Sequence, residues 1–152
     1  MRLWRLCRAA HVALDGKGAA LHGGRYTPQG VPVVSLASEA GLAVLVTQRY
    51  LPERREEWPQ DFVLGWTDVA AKPLHLPEGL DEAAIRSSVA DWLAQGRSLL
   101  LAIRSQVLPE ADVILLNPLH PEMAGVLPLV TRHFDFAQCL HRPPMLDRYS
   151  GG

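Results

Sequence analysis

Cysteine is nearly absent from this chain: two residues, Cys7 and Cys139, in 152. Two thiols so far apart form no dense disulfide framework and no Cys-x-x-Cys metal pattern, and free thiols in a cytoplasmic protein are the expected state. An excess of positive charge is missing as well. The chain carries 15 Lys and Arg against 16 Asp and Glu, a formal charge of −1, which argues against a nucleic-acid partner held through phosphate contacts. Long apolar runs are also lacking. Leu99–Ile103 and Val113–Leu116 are strand-sized, far short of the roughly 20 residues that cross a membrane, so no membrane partner is expected. The opening Met1–Arg8 scatters charges among its apolar residues and has no apolar core of a secretory signal. The six histidines make no His-x-x-x-His pair, so no metal is expected. Neither Gly-x-Gly-x-x-Gly nor a Walker sequence occurs, which removes the two common nucleotide loops.

What is present is an ordinary globular composition, 48% hydrophobic and 20% charged, at a length that suits one domain over residues 1–152 with a single core. Strands are expected near Trp4–Arg8, Val31–Leu36, Asp61–Val69, Ser98–Ile103, Ala111–Asn117 and Val126–Phe136, from β-branched and aromatic content between Gly and Pro breaks. Asp15–Ala19 and Gly23–Gly30 read as loops. One helix is expected over Glu39–Leu51, capped by Ser38, with Leu42, Leu45, Val46 and Arg49 on one side. A second runs from Asp81 to Gln95, with Asp81 as N-cap and Gly96 at its C-terminal end, the residues those positions favour. Residues 138–152 read as an irregular tail. This order of elements argues for an α+β fold with mixed sheets and flanking helices rather than a doubly wound parallel sheet.

Several short constellations could carry chemistry. In Gly23-Gly24-Arg25-Tyr26, glycines allow close backbone approach and an arginine fork matches a phosphate or carboxylate; a tight turn with a surface arginine fits equally. Arg5 stands inside an apolar strand beside Trp4, where it either snorkels to water or meets an anion in a cleft. Ser105 follows an apolar strand and can face a pocket or close a turn. Asn117-Pro118-Leu119-His120-Pro121 has two X-Pro steps that favour a rigid corner.

Taken in order, Trp4-Arg5, Gly16–Ala19, Gly23–Tyr26, Gly30, Pro32–Val34, the helix with Ala43, Ser105 and Asn117–Pro121 resemble the RES-domain family, the toxin half of bacterial toxin–antitoxin pairs. The resemblance covers about residues 3–137 and looks closest to the ParT toxins, whose partners are ParS antitoxins. It implies a fold similar to that of ADP-ribosyltransferases, with two small, roughly orthogonal sheets clasping NAD as substrate. It implies that Arg5 and Arg25 hold the pyrophosphate or ribose, that Tyr26 stacks near the nicotinamide or ribose, and that Ser105 hydrogen-bonds inside the cleft. An antitoxin covering the cleft is the implied protein partner.

Two positions depart from the family pattern. Ser35 stands where a tyrosine is usual and remains a site candidate against the nicotinamide ribose; Val46 stands where the family has a glutamate. A carboxylate there would stabilise an oxocarbenium-like transition state, and valine does not. Three explanations follow: Glu39, Glu53 or Glu57 supplies the acid, catalysis proceeds through the arginines alone, or NAD is bound without being cleaved. The leading expectation is an NAD-dependent mono-ADP-ribosyltransferase toxin acting on a cellular acceptor protein. The alternatives are an NAD glycohydrolase or phosphorylase, and a non-catalytic module that binds NAD or its antitoxin.

Overall fold

The computed structural model describes residues 1–148. Strand β1 (Arg2–Arg8) leads through a short helix α1 (Lys17–His22) to β2 (Val34–Ala37), α2 (Ala40–Gln48) and β3 (Phe62–Asp68). There follow β4 (Leu74–His75), α3 (Glu82–Gln95), β5 (Leu100–Arg104), β6 (Asp112–Leu116), β7 (Val130–His133) and a one-turn helix α4 (Phe136–Cys139). The mixed α and β architecture agrees with the sequence reading. The last four residues of the tail expected at 138–152 lie outside the described residues.

Where two small sheets are expected, the strands form one seven-stranded hydrogen-bonded array, ordered β4-β5-β6-β2-β1-β3-β7, whose two halves join at β2 and β1. Only β4 and β5 run parallel. Within the halves the ladders are long: β1 pairs with β3 from Arg2↔Asp68 to Arg8↔Phe62, and β2 pairs with β6 from Val34↔Leu116 to Ala37↔Val113. Between the halves, β1 and β2 share a single register pair, Trp4↔Ala37. Continuing that register would set Arg5 against Leu36 and Leu6 against Ser35, yet those residues do not pair. The two strands part there, and the backbone carbonyl of Leu6 is instead met by the Thr47 hydroxyl of α2 at 3.2 Å.

Both faces of the β5–β6 half are covered, so its strands are apolar except at the Arg104–Asp112 end. Leu100, Ala102, Ile114 and Leu116 pack with Leu3, Val34 and Leu36. The intervening Leu101, Ile103 and Leu115 pack against Ile85, Val89 and Trp92 of α3. The other half is covered by α2, whose Leu42 and Ala43 pack with Leu6, Phe62 and Leu64. Strand β7 closes that edge with four exposed residues.

Local signals explain α3 well. The Asp81 carboxylate accepts the Ala84 N–H at 2.8 Å, and Gly96 ends the helix at φ 57°. They mislead at α2. Ser38 is not its cap: the Ser38 hydroxyl accepts the Asp112 N–H of β6 at 2.9 Å, and the helix starts after Glu39 with no side-chain cap. Leu45, expected on the apolar side, is exposed. Helix α1 lies where a loop is expected. It begins after Gly16, whose φ of 70° suits glycine, and a Cβ on Gly16 would stand 2.6 Å from the Val33 backbone nitrogen.

Two predictions follow from this packing. Gly16→Ala should destabilise the protein by on the order of 1–3 kcal/mol through left-handed strain alone, with the Val33 clash adding to it; a Tm equal to wild type would contradict the tight approach. Exposed ion pairs also staple the ends of the β1–β3 ladder, Arg2–Asp68 and Arg8–Asp61, both at 2.9 Å. Hydrogen bonds from these arginines hold both carboxyls below their ordinary range. Their contribution is therefore present above the ordinary carboxyl range and lost as pH falls through the lowered values. The Asp61→Asn/Asp68→Asn double variant should melt slightly lower than wild type at pH 7 and converge with it at the acid end of a melting series; an equal gap at both ends would refute the assignment.

Candidate functional site

Where β1 and β2 part, a cleft of about 700 Å³ opens, within the range of small-molecule sites. Its floor comes from the diverging strands, with Arg5 and Cys7 on β1 and Ser35 on β2. One wall is the turn after α1, carrying Gly24, Arg25, Tyr26 and Thr27; the other is α2 with Val46 and Thr47.

The turn is shaped by its glycines. Gly23 caps α1 at φ 74° and donates its N–H to the Ala19 carbonyl. Gly24 exchanges backbone hydrogen bonds with Thr27, and a Cβ on Gly24 would lie 2.7 Å from the Thr27 hydroxyl. Tyr26 is thereby buried among Val33, Ile85 and Val89. Arg25 lies over the Tyr26 ring at 5.1 Å, donates to the Gln106 side-chain carbonyl at 3.1 Å and stands 3.9 Å from the Glu82 carboxylate. Arg5, rooted in the β1–β3 ladder, donates to the Ala13 carbonyl at 3.3 Å. Four of the residues singled out from sequence, Arg5, Arg25, Tyr26 and Ser35, thus border one cavity.

Ser105 does not join them. It is buried, its hydroxyl accepts the Leu108 N–H at 3.2 Å and its own N–H goes to Ala111. It closes the β5–β6 turn and is absent from the cleft lining. It still has a bearing on the site, because its neighbour Gln106 is the group that holds Arg25. The Asn117–Pro121 segment is a corner, with the Asn117 side chain accepting the Leu119 N–H and His120 accepting the Glu122 N–H.

None of the cleft-lining residues is acidic. Glu39, Glu53 and Glu57, the candidates for the missing acid, are exposed and do not border the cavity. A third arginine does: Arg49, with Tyr50 beside it. Neither stands out as a ligand in the sequence, because Arg49 reads only as a helix-face residue and Tyr50 as an unremarked neighbour. An acid-free cavity bordered by three guanidinium groups attracts an anion and repels a metal ion. Among the described residues no group of three or more His, Cys, Asp or Glu side chains is placed to hold a metal.

The RES domain family model matches residues 2–137. The chain is 37% identical over 142 residues to the Prs ADP-ribosylating toxin of Sphingobium sp. strain YBL2, covering 81% of this chain and 86% of that protein. It is 28% identical over 145 residues to Toxin Res of Photorhabdus laumondii, with 87% and 91% covered. A chain of the M. tuberculosis MbcT–MbcA toxin–antitoxin complex shares the fold at a TM-score of 0.69 and 15% identity, over 90% of this chain and 85% of that one.

The cleft has a built-in reporter. Burial pushes the Cys7 thiol up, opposed weakly by Arg5, so Cys7 is a poor nucleophile at neutral pH, whereas Cys139 is exposed. Iodoacetamide at pH 7 should label Cys139 before Cys7, as read by peptide mass spectrometry. Faster labelling at Cys7 would contradict its burial in the cleft.

Proposed function

The chain belongs to the RES-domain family, and we propose that it is a toxin whose cleft binds NAD and transfers ADP-ribose to a cellular protein. The observation that carries this reading is the meeting of Arg5 and Arg25, twenty residues apart in sequence, on one acid-free cleft with Tyr26 and Ser35. The volume suits a dinucleotide. Guanidinium forks match the oxygens of a diphosphate, and the buried Tyr26 ring backs the Arg25 guanidinium. The Ser35 hydroxyl is the cleft group suited to a ribose hydroxyl, and the structure gives it no internal hydrogen bond among the described residues.

Transfer requires the bond between nicotinamide and the ribose C1′ to break, leaving an oxocarbenium-like carbon that an acceptor attacks from the opposite side. With Val46 in place of an acid, the chain's own contribution is to fix the diphosphate and the ribose so that the C1′ carbon stays aligned as nicotinamide departs. Forgoing one electrostatic group costs roughly 10²–10³ in rate, which a potent toxin tolerates. The name of the Sphingobium relative supports transfer to a protein and suggests Prs as the first acceptor to try. The toxin–antitoxin complex with the same fold supports an antitoxin as the controlling partner, and the cleft mouth is the surface such a partner would have to cover.

The test is incubation of the purified protein with radiolabelled NAD and a cell lysate, then with isolated Prs. Label on a protein is expected, and Arg25→Ala should reduce it by roughly 10²-fold or more without changing the circular dichroism. Free ADP-ribose, or its phosphate, with no labelled protein would replace transfer by NAD breakdown. No NAD consumption, together with harmless expression in cells, would leave only a binding module.

A further inference from the structure

We propose that Arg49 and Tyr50, at the end of α2, form a second substrate-binding wall: Arg49 for the diphosphate of the dinucleotide and Tyr50 as a stacking face for one of its planar rings. This rests on the NAD reading above and adds two residues to it. Ala43, Val46, Thr47, Arg49 and Tyr50 all border the cleft, so one side of α2 faces it from the middle of the helix to its end. The end of that side is fixed in place. The Thr47 hydroxyl, which donates within 3.2 Å of the Leu6 carbonyl, lies 2.9 Å from the Ala43 carbonyl, and the Tyr50 N–H donates to the Thr47 carbonyl at 3.0 Å. Arg49 keeps helical backbone angles, φ −62° and ψ −24°. Positions 49 and 50 are therefore held just past the point where α2 touches β1, and the β1 residues on either side of that point are Arg5 and Cys7, both in the cleft.

Charge supplies the second argument. A diphosphate brings two negative charges, and Arg25 already shares its guanidinium with Gln106 and Glu82. Arg49 makes no hydrogen bond or ion pair among the described residues, unlike Arg2, Arg8 and Arg86. It is a cation at a cavity rim with no carboxylate to neutralise it. Tyr50 supplies the third. Tyr50 is 77% exposed, whereas Tyr26 across the cleft is 8% exposed. A large aromatic side chain left unpacked at the mouth of a cavity provides a flat apolar surface for a planar ring, and such stacking tolerates either ring of the dinucleotide.

NAD titrated by calorimetry into the full chain tests this, with Arg25→Ala as the reference variant. Arg49→Ala should weaken NAD binding by roughly tenfold, with Arg49→Lys recovering part of the loss. Tyr50→Ala should weaken it by roughly five- to tenfold, and Tyr50→Phe should bind like wild type because the ring and not the hydroxyl makes the contact. In turnover assays the change should fall on KM, with kcat nearly constant. All four substitutions sit at a surface turn, and unchanged circular dichroism identifies variants that remain folded. Wild-type affinity in Arg49→Ala and Tyr50→Ala, beside a clear loss in Arg25→Ala, would overturn this inference and leave the NAD reading standing. Equal losses in Tyr50→Phe and Tyr50→Ala would overturn the stacking role. Absence of NAD binding by the wild-type chain would remove both.

Discussion

Everything about the site depends on two strands that meet once and then separate. Strands β1 and β2 pair only at Trp4↔Ala37, although each is fully laddered to its other neighbour. An unpaired run of backbone inside a fold needs other partners. Thr47 supplies one at the Leu6 carbonyl, and the space left between the strands becomes the cleft. The same separation turns Arg5 from a strand residue into a floor residue. It also leaves room for the Gly23–Tyr26 turn on one side and α2 on the other. The cavity is thus an outcome of topology: joining β1 and β2 along their whole length would bring Arg5 against Leu36 and fill it.

The two principal arginines are held differently. Arg5 is carried by a strand paired over seven residues with β3, so its root is rigid. Arg25 is carried by a turn whose shape depends on Gly23 and Gly24, and its head is pre-positioned by Gln106 and Glu82. Those contacts are exposed and exchangeable, so a ligand phosphate can compete for the guanidinium at little cost. A rigid cation and an adjustable one, on a cleft with no acidic residue in its lining, suit an extended anion. Val46, where the resemblance implied a glutamate, fits this electrostatic character, because α2 carries no carboxylate toward the cleft.

What could be read from the sequence was what is encoded locally. Asp81 and Gly96 bound α3 because a cap needs only its own turn. The strands Leu100–Arg104 and Asp112–Leu116 were visible because both of their faces are buried, which leaves apolar runs over 100–103 and 113–116. The Gly-Gly-Arg-Tyr turn was visible because its conformation requires glycine. Residues whose roles depend on distant partners were not legible. Ser38 looks like a helix cap and is instead a link to Asp112 of β6. Helix α1 was hidden by the glycines at its start. Ser105 could be read as a turn or a pocket residue, the resemblance implied the cleft, and the adjacent turn claims it. Arg49 and Tyr50 gained significance only when α2 was laid over β1, a contact set by the Thr47–Leu6 hydrogen bond across 41 residues of sequence.

Strand β7 ends the array with four exposed residues, Val130–His133, beside β3. An outer strand invites pairing with a second molecule, and such pairing is the first step of misassembly when a protein is made at high concentration. Here the strand is short, and two of its four residues are Arg132 and His133. Crowded chains brought side by side would meet like charge before they could share backbone hydrogen bonds.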